Sequence, residues 1–88
     1  MTMSEYIKAK AKFAKKHGGF RETSDLMGEM VQKQQVFDDG AVWYEVTMPV
    51  IETAKFTVRG LPMTTKVKLH RTEFWNTDDH TSKYLYEA

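Results

Sequence analysis

The stretch Ala41-Val42-Trp43-Tyr44-Glu45-Val46-Thr47-Met48-Pro49-Val50 decides how this chain is read. Val42, Tyr44, Val46, Met48 and Val50 alternate with Trp43, Glu45, Thr47 and Pro49. An apolar period of two marks a strand buried on one face. Pro49 has no N–H to give a ladder, so that point belongs at an edge or a bulge. Asp38-Asp39-Gly40 just before it is a good hairpin turn, which favours a short preceding strand at residues 34–37, with continuation of a helix as the alternative.

Alternation continues downstream. Phe56 and Val58 alternate with Lys55, Thr57 and Arg59, and Val67 and Leu69 with Lys66, Lys68 and His70. Gly60-Leu61-Pro62 reads as a connection and Asn76-Thr77-Asp78-Asp79 as a turn, with a last short strand at Lys83-Tyr84-Leu85-Tyr86. Upstream the period changes. Thr2-Met3-Ser4-Glu5 is a capping box, and a helix from about Met3 to His17 ends at Gly18-Gly19. Met3, Tyr6, Ile7, Phe13 and Ala14 lie on one side of it, and Lys8, Lys12 and Lys16, with Lys15 beside them, lie on the other. Thr23-Ser24-Asp25 offers three capping residues for a second helix, with Leu26, Met27, Met30 and Val31 as its stripe and Gly28 as a weak point.

The expected fold is therefore α+β: two N-terminal helices packed on one face of an antiparallel β-meander of three to five strands, as a single domain over residues 1–88. The helices should cover the sheet face carrying Tyr44, Val46, Phe56, Val58, Val67 and Leu69, with Leu26 and Met30 in the same core.

The chain has 88 residues, too few for a barrel or doubly wound enzyme. Its hydrophobic content of 41% is enough to fold. Without cysteine there is no disulfide framework, thiolate zinc site or cysteine nucleophile. No apolar run approaches the roughly 20 residues of a membrane span, and the N-terminus has no secretory apolar segment. A cytoplasmic protein without membrane contact is expected. His17, His70 and His80 lack metal-ligand spacing, so neither metal nor cofactor is expected.

Charge runs in blocks. Residues 1–20 hold five lysines and one acid, while residues 55–71 hold Lys55, Arg59, Lys66, Lys68 and Arg71 and no acid. Residues 21–54 and 72–88 are acidic on balance. Pairing residues 55–59 with 64–68 would set Lys55 opposite Lys68 and Thr57 opposite Lys66, a crowding of like charge that an anion would relieve. The bland reading is that basic and acidic blocks neutralise each other across the fold. The sharper one is a surface that meets phosphates.

The expected function is thus a small non-enzymatic binding module for nucleic acid, RNA ahead of DNA, or for a nucleic-acid-handling protein. Its contacts would be Lys8, Lys12, Lys15, Lys16, Lys55, Arg59, Lys66 and Lys68, with Trp75 stacking on a base. No sequence-reading motif accompanies them. One alternative is a phage-type inhibitor or adaptor that neutralises a host factor through blocks of both signs. Another is a compact ribonuclease-like toxin using His70, Arg71 and Glu73, although a regular strand turns His70 away from the other two. Exposed aromatics and sheet edges leave a homodimer open.

Overall fold

The computed structural model describes all 88 residues, Met1–Ala88. One helix, α1 (Met3–His17), is followed by five strands: β1 (Phe20–Met27), β2 (Met30–Phe37), β3 (Val42–Val58), β4 (Leu61–Asn76) and β5 (Lys83–Glu87). They form one antiparallel sheet in chain order, β1-β2-β3-β4-β5. No helix is long and apolar enough to cross a membrane.

Both halves of the capping box are made: the Thr2 side chain accepts from the Glu5 N–H, and the Glu5 side chain accepts from the Thr2 N–H. At the other end the Gly18 N–H donates to the Ala14 carbonyl.

The expected second helix is absent, and the chain is mostly β. Residues 23–31 instead make the β1–β2 hairpin, with Met27 paired to Met30 across Gly28-Glu29. Gly28 has φ 64 and Glu29 is not left-handed, as a type II′ turn requires of its two central residues. Gly28, a flaw in a helix, is thus the residue that a tight hairpin needs. Thr23-Ser24-Asp25 pairs with residues 32–34 along β2 rather than capping anything.

The covered sheet face is also the opposite of the expected one. Residue pairs across an antiparallel ladder share a face. Trp43 pairs with Asn76 and Gln35, Glu45 with Phe74 and Lys33, and Thr47 with Thr72. These face α1, and Phe13, Phe37, Ala41, Trp43 and Phe74 form the core. Trp43 is 1% exposed and stacks on Phe74 with ring centroids 5.2 Å apart. Phe13 meets Phe37 edge-on at 5.2 Å. The set Tyr44, Val46, Phe56, Val58, Val67 and Leu69 does share a face, but it is the face that nothing covers. Leu26, level with Val31 on the helix side, is 72% exposed. The reason is chemical. Burying Glu45 is tolerated because α1 supplies its partners, and the two largest inward side chains, Trp43 and Phe74, then give α1 its footing.

β3 and β4 outlast their neighbours. β2 pairs with β3 only as far as Thr47, and β5 pairs with β4 only from His70 onward. Beyond them, from Val50–Leu69 to Val58–Leu61, the hairpin runs on alone as a two-stranded arm. At about 3.3 Å per residue this arm is roughly 30 Å long, and the molecule measures 58 × 27 × 17 Å. Pro49 stands where β3 loses its β2 neighbour, so its missing N–H leaves no central ladder broken.

Candidate nucleic-acid interface

The arm turns at Arg59-Gly60, with φ 50 and 79, a two-residue type I′ turn. That tight turn sets the register of everything above it. Lys55 lies opposite Thr64, Lys66 opposite Thr53 and Lys68 opposite Ile51. The expected facing of Lys55 with Lys68 and of Thr57 with Lys66 is therefore incorrect: the chain reverses at residues 59–60 rather than over a longer connection. Lys55, Lys66 and Lys68 nevertheless share one face, alternate along it and never stand directly opposite one another. Between Pro49 and His70 that face carries no acid, since Glu52 is level with Val67 on the other side.

The arm's basic face is continuous with the sheet face under α1. Lys8, Lys12, Lys15 and Lys16 are exposed along the helix, whose inward side is spent on Tyr6, Ala9, Phe13 and Ala14. Both basic segments thus look to the same side of the sheet. Lys33, level with Glu45, adds an exposed cation to that side. Strand parity with Gln35 and Phe37 was its only sequence signal.

Two of the expected contacts are already engaged. Lys16 Nζ lies 3.0 Å from Asp78 Oδ2, and Lys68 Nζ lies 3.0 Å from Glu29 Oε1. Lys8, Lys12, Lys15, Lys55, Lys66 and Arg59 have no carboxylate within ion-pair distance. Trp75 is apart from all of these. It is on the uncovered face, stacked on Tyr44 with centroids 5.4 Å apart.

Two polar clusters hold α1 in this position. Glu45, nearly buried, accepts at Oε1 from Tyr6 Oη, from Lys10 Nζ at 2.7 Å and from Trp43 Nε1 at 2.9 Å. Burial alone would raise the Glu45 pKa; hydrogen bonds from Lys10 and Tyr6 and the Lys10 charge outweigh it and hold it below the usual value. Burial, and then the neighbouring Glu45, drive the Tyr6 phenol well above its usual value. This network borders an open cleft of about 580 Å³ between α1 and the sheet, which also touches Phe20, Lys33 and Leu85. At the far end of α1, His17 Nδ1 is 2.7 Å from Asp39 Oδ2, and Nε2 is 2.7 Å from Asp78 Oδ2. Donating hydrogen bonds first to Asp78 and then to Asp39 raises its pKa, and accepting them lowers both aspartates. Neither cluster was visible in the sequence, because each brings α1 side chains to carboxylates far away in the chain, in a strand or in loops.

The residues of the ribonuclease-like reading do not converge. His70 is level with Pro49 on the helix side, while Arg71 and Glu73 are on the other face. Asp78 and Asp79 are engaged with His17 and Lys16 and with Lys83 respectively, and His80 is exposed. No group of three or more acidic or histidine side chains is placed to hold a metal. The chain matches no protein-family model, no curated protein and no solved structure.

Proposed function

We propose that this chain is a non-enzymatic binding module for the phosphodiester backbone of nucleic acid, acting in the cytoplasm. One observation carries the reading: Lys8, Lys12 and Lys15 on α1 and Lys55 and Lys66 on the arm look to one side, exposed and without acid partners. From Glu45, beneath α1, to Lys55 the β3 strand rises roughly 33 Å, the length of about ten base steps along a duplex strand. A compact anion could not touch both ends of such a stripe, whereas a polymer of phosphates could. With Trp75 on the other face, no stacking residue accompanies the lysines, so binding is to backbone and carries no sequence preference.

Affinity then comes from counterion release. Replacing Lys8, Lys12 and Lys15 together by glutamine should flatten the slope of log affinity against log salt by roughly 2 on single-stranded RNA and nearer 3 on duplex DNA. Lys55→Gln with Lys66→Gln should flatten it by about 1.4 on RNA. Fluorescence anisotropy with both polymers over a salt series measures these slopes and shows which polymer is preferred. Binding that ignores salt, or slopes unmoved by either set, would defeat the reading. Salt-sensitive capture of a protein after nuclease treatment, with no affinity for either polymer, would put the adaptor reading in its place.

A further inference from the structure

The face of the sheet away from α1 is covered by no element of the chain. Apolar pairs recur along it, with Tyr44–Trp75 at the base, Val50–Leu69 in the middle and Phe56–Met63 near the tip, and Arg71, Glu73 and Glu52 are its charged side chains on β3 and β4. Phe56 and Met63 are 44% and 46% exposed. A two-stranded ribbon is marginal in water unless something covers its apolar face, and here nothing in the chain does. The surface area of 6404 Å² exceeds by about 1,000 Å² the roughly 5,350 Å² expected of a folded monomer of this mass. A standard interface buries about 800 Å² per partner. The excess is therefore close to what one stable interface removes.

We infer that the occupant is a second copy of this chain, packed face to face across a two-fold axis through the Val50–Leu69 pair. Three features of the chain favour a copy of itself over a different protein. Val50 is the midpoint of β3 (Val42–Val58), so an axis there makes the two long hairpins coextensive, with each arm lying over the other copy's base. The same axis sets Phe56 of one copy on Tyr44 of the other and Met63 on Trp75, since each pair lies three rows from the centre. It also sets Glu52, one row toward the tip, over the Met48–Arg71 row, one row toward the base, where the Arg71 guanidinium leans on Met48.

Arg71 is the independent evidence. Its Nε is buried and has no hydrogen-bond partner. Its Nη2 reaches only Met48 Sδ at 3.3 Å, and its guanidinium stacks on the Tyr84 ring at 5.3 Å. A guanidinium held flat against an apolar face without a carboxylate is a costly arrangement for a monomer. In the two-fold pair it meets Glu52, the one acid of the arm's apolar face, and the symmetry makes this contact twice. Packing of the two sheets at about 10 Å completes a sandwich with the helices and basic faces outside.

Sedimentation equilibrium on the intact chain tests this. The wild type should be a dimer with a Kd of about 1 µM or tighter. Phe56→Glu should give a monomer that keeps its helical circular dichroism, because Phe56 is far from α1. Glu52→Arg and Arg71→Glu should each weaken the dimer by about 30-fold or more, and the two together should restore it to near the wild-type value. Should Arg71→Glu impair folding, Glu52→Arg still reports, since Glu52 is exposed on the arm. A wild-type monomer at about 100-fold this concentration, a dimer indifferent to Phe56→Glu, or a double reversal that fails to restore association would each overturn the proposal.

Discussion

Phe13 and Ile7 lie on the apolar side of the same helix, yet replacing each by alanine should have very different consequences. Phe13 is 6% exposed and the one buried residue of α1, with its ring against Phe37, Trp43 and His17. Ile7 is 57% exposed at the rim of the cleft. Phe13→Ala loses a buried aromatic and leaves a cavity between α1 and the sheet, a cost of about 3–5 kcal/mol. A chain of 88 residues has roughly 4–13 kcal/mol in all, so a large share of the stability disappears. At about 4–8 °C per kcal/mol for a domain of this size, the thermal midpoint should fall by roughly 12–40 °C. Ile7→Ala should stay within about 0.5 kcal/mol, since it uncovers little and alanine favours the helix. Urea titrations at several protein concentrations, followed at 222 nm and by near-ultraviolet circular dichroism of Trp43, measure both. Comparable losses for the two variants, or less than about 1 kcal/mol for Phe13→Ala, would refute the account of how α1 is anchored.

Further perturbations follow from the same geometry. The clamp of His17 between Asp39 and Asp78 needs a protonated imidazole and two ionised carboxylates. The raised His17 pKa gives stability that is full below the ordinary imidazole value of about 6.5 and is lost as pH rises through the folded value. The lowered aspartate values give stability present above about 4 and lost as pH falls below it. The thermal midpoint should therefore peak between these limits, and His17→Gln should remove the fall on the alkaline side. An unchanged pH profile in that variant would show that the clamp does not contribute. At the arm tip, Arg59 holds φ 50, which asparagine adopts more readily. Arg59→Asn should raise stability by about 0.5–1 kcal/mol, whereas Gly60→Ala should lower it by at least as much. Denaturant midpoints of the two variants moving together would contradict the type I′ assignment.

Much of the local structure was legible before the fold was seen. The capping box and the Gly18-Gly19 stop bound α1, Asp38-Asp39-Gly40 forms the β2–β3 turn, and the alternation from Val42 onward is real. The more apolar of the two alternating sets in β3 is, however, not the one that faces the helix. Val42, Tyr44, Val46 and Met48 outscore Trp43, Glu45 and Thr47 in hydrophobicity, yet the second set is inside. Glu45 can be there only because Trp43 beside it and Tyr6 and Lys10 of α1 converge on it, and no strand pattern reveals the two that come from the helix. The same blind spot turned Thr23-Ser24-Asp25 into a helix cap. Those residues are competent caps, but the Gly28-Glu29 turn and the ladder to β2 claim the segment first. For the candidate interface, parity put Lys55, Lys66 and Lys68 on one face, as they are. Their cross-strand partners depend on the two-residue Arg59-Gly60 turn, which the spacing of Gly60-Leu61-Pro62 does not reveal.

Every strand of this sheet is hydrogen-bonded to the one next to it in sequence, through connections of two to six residues. Loop closure is therefore cheap at each step, and no pairing has to wait for a distant segment to arrive. The hairpins can zip outward from Gly28-Glu29 and Arg59-Gly60 on the microsecond scale of such elements. Only α1 must find its place from afar, through Tyr6 with Glu45 and Phe13 with Trp43. A mostly-β chain of this topology should fold at a rate closer to that of mixed or helical domains than to that of sandwiches with crossed connections. Its slow step should be the docking of the helix that closes the core.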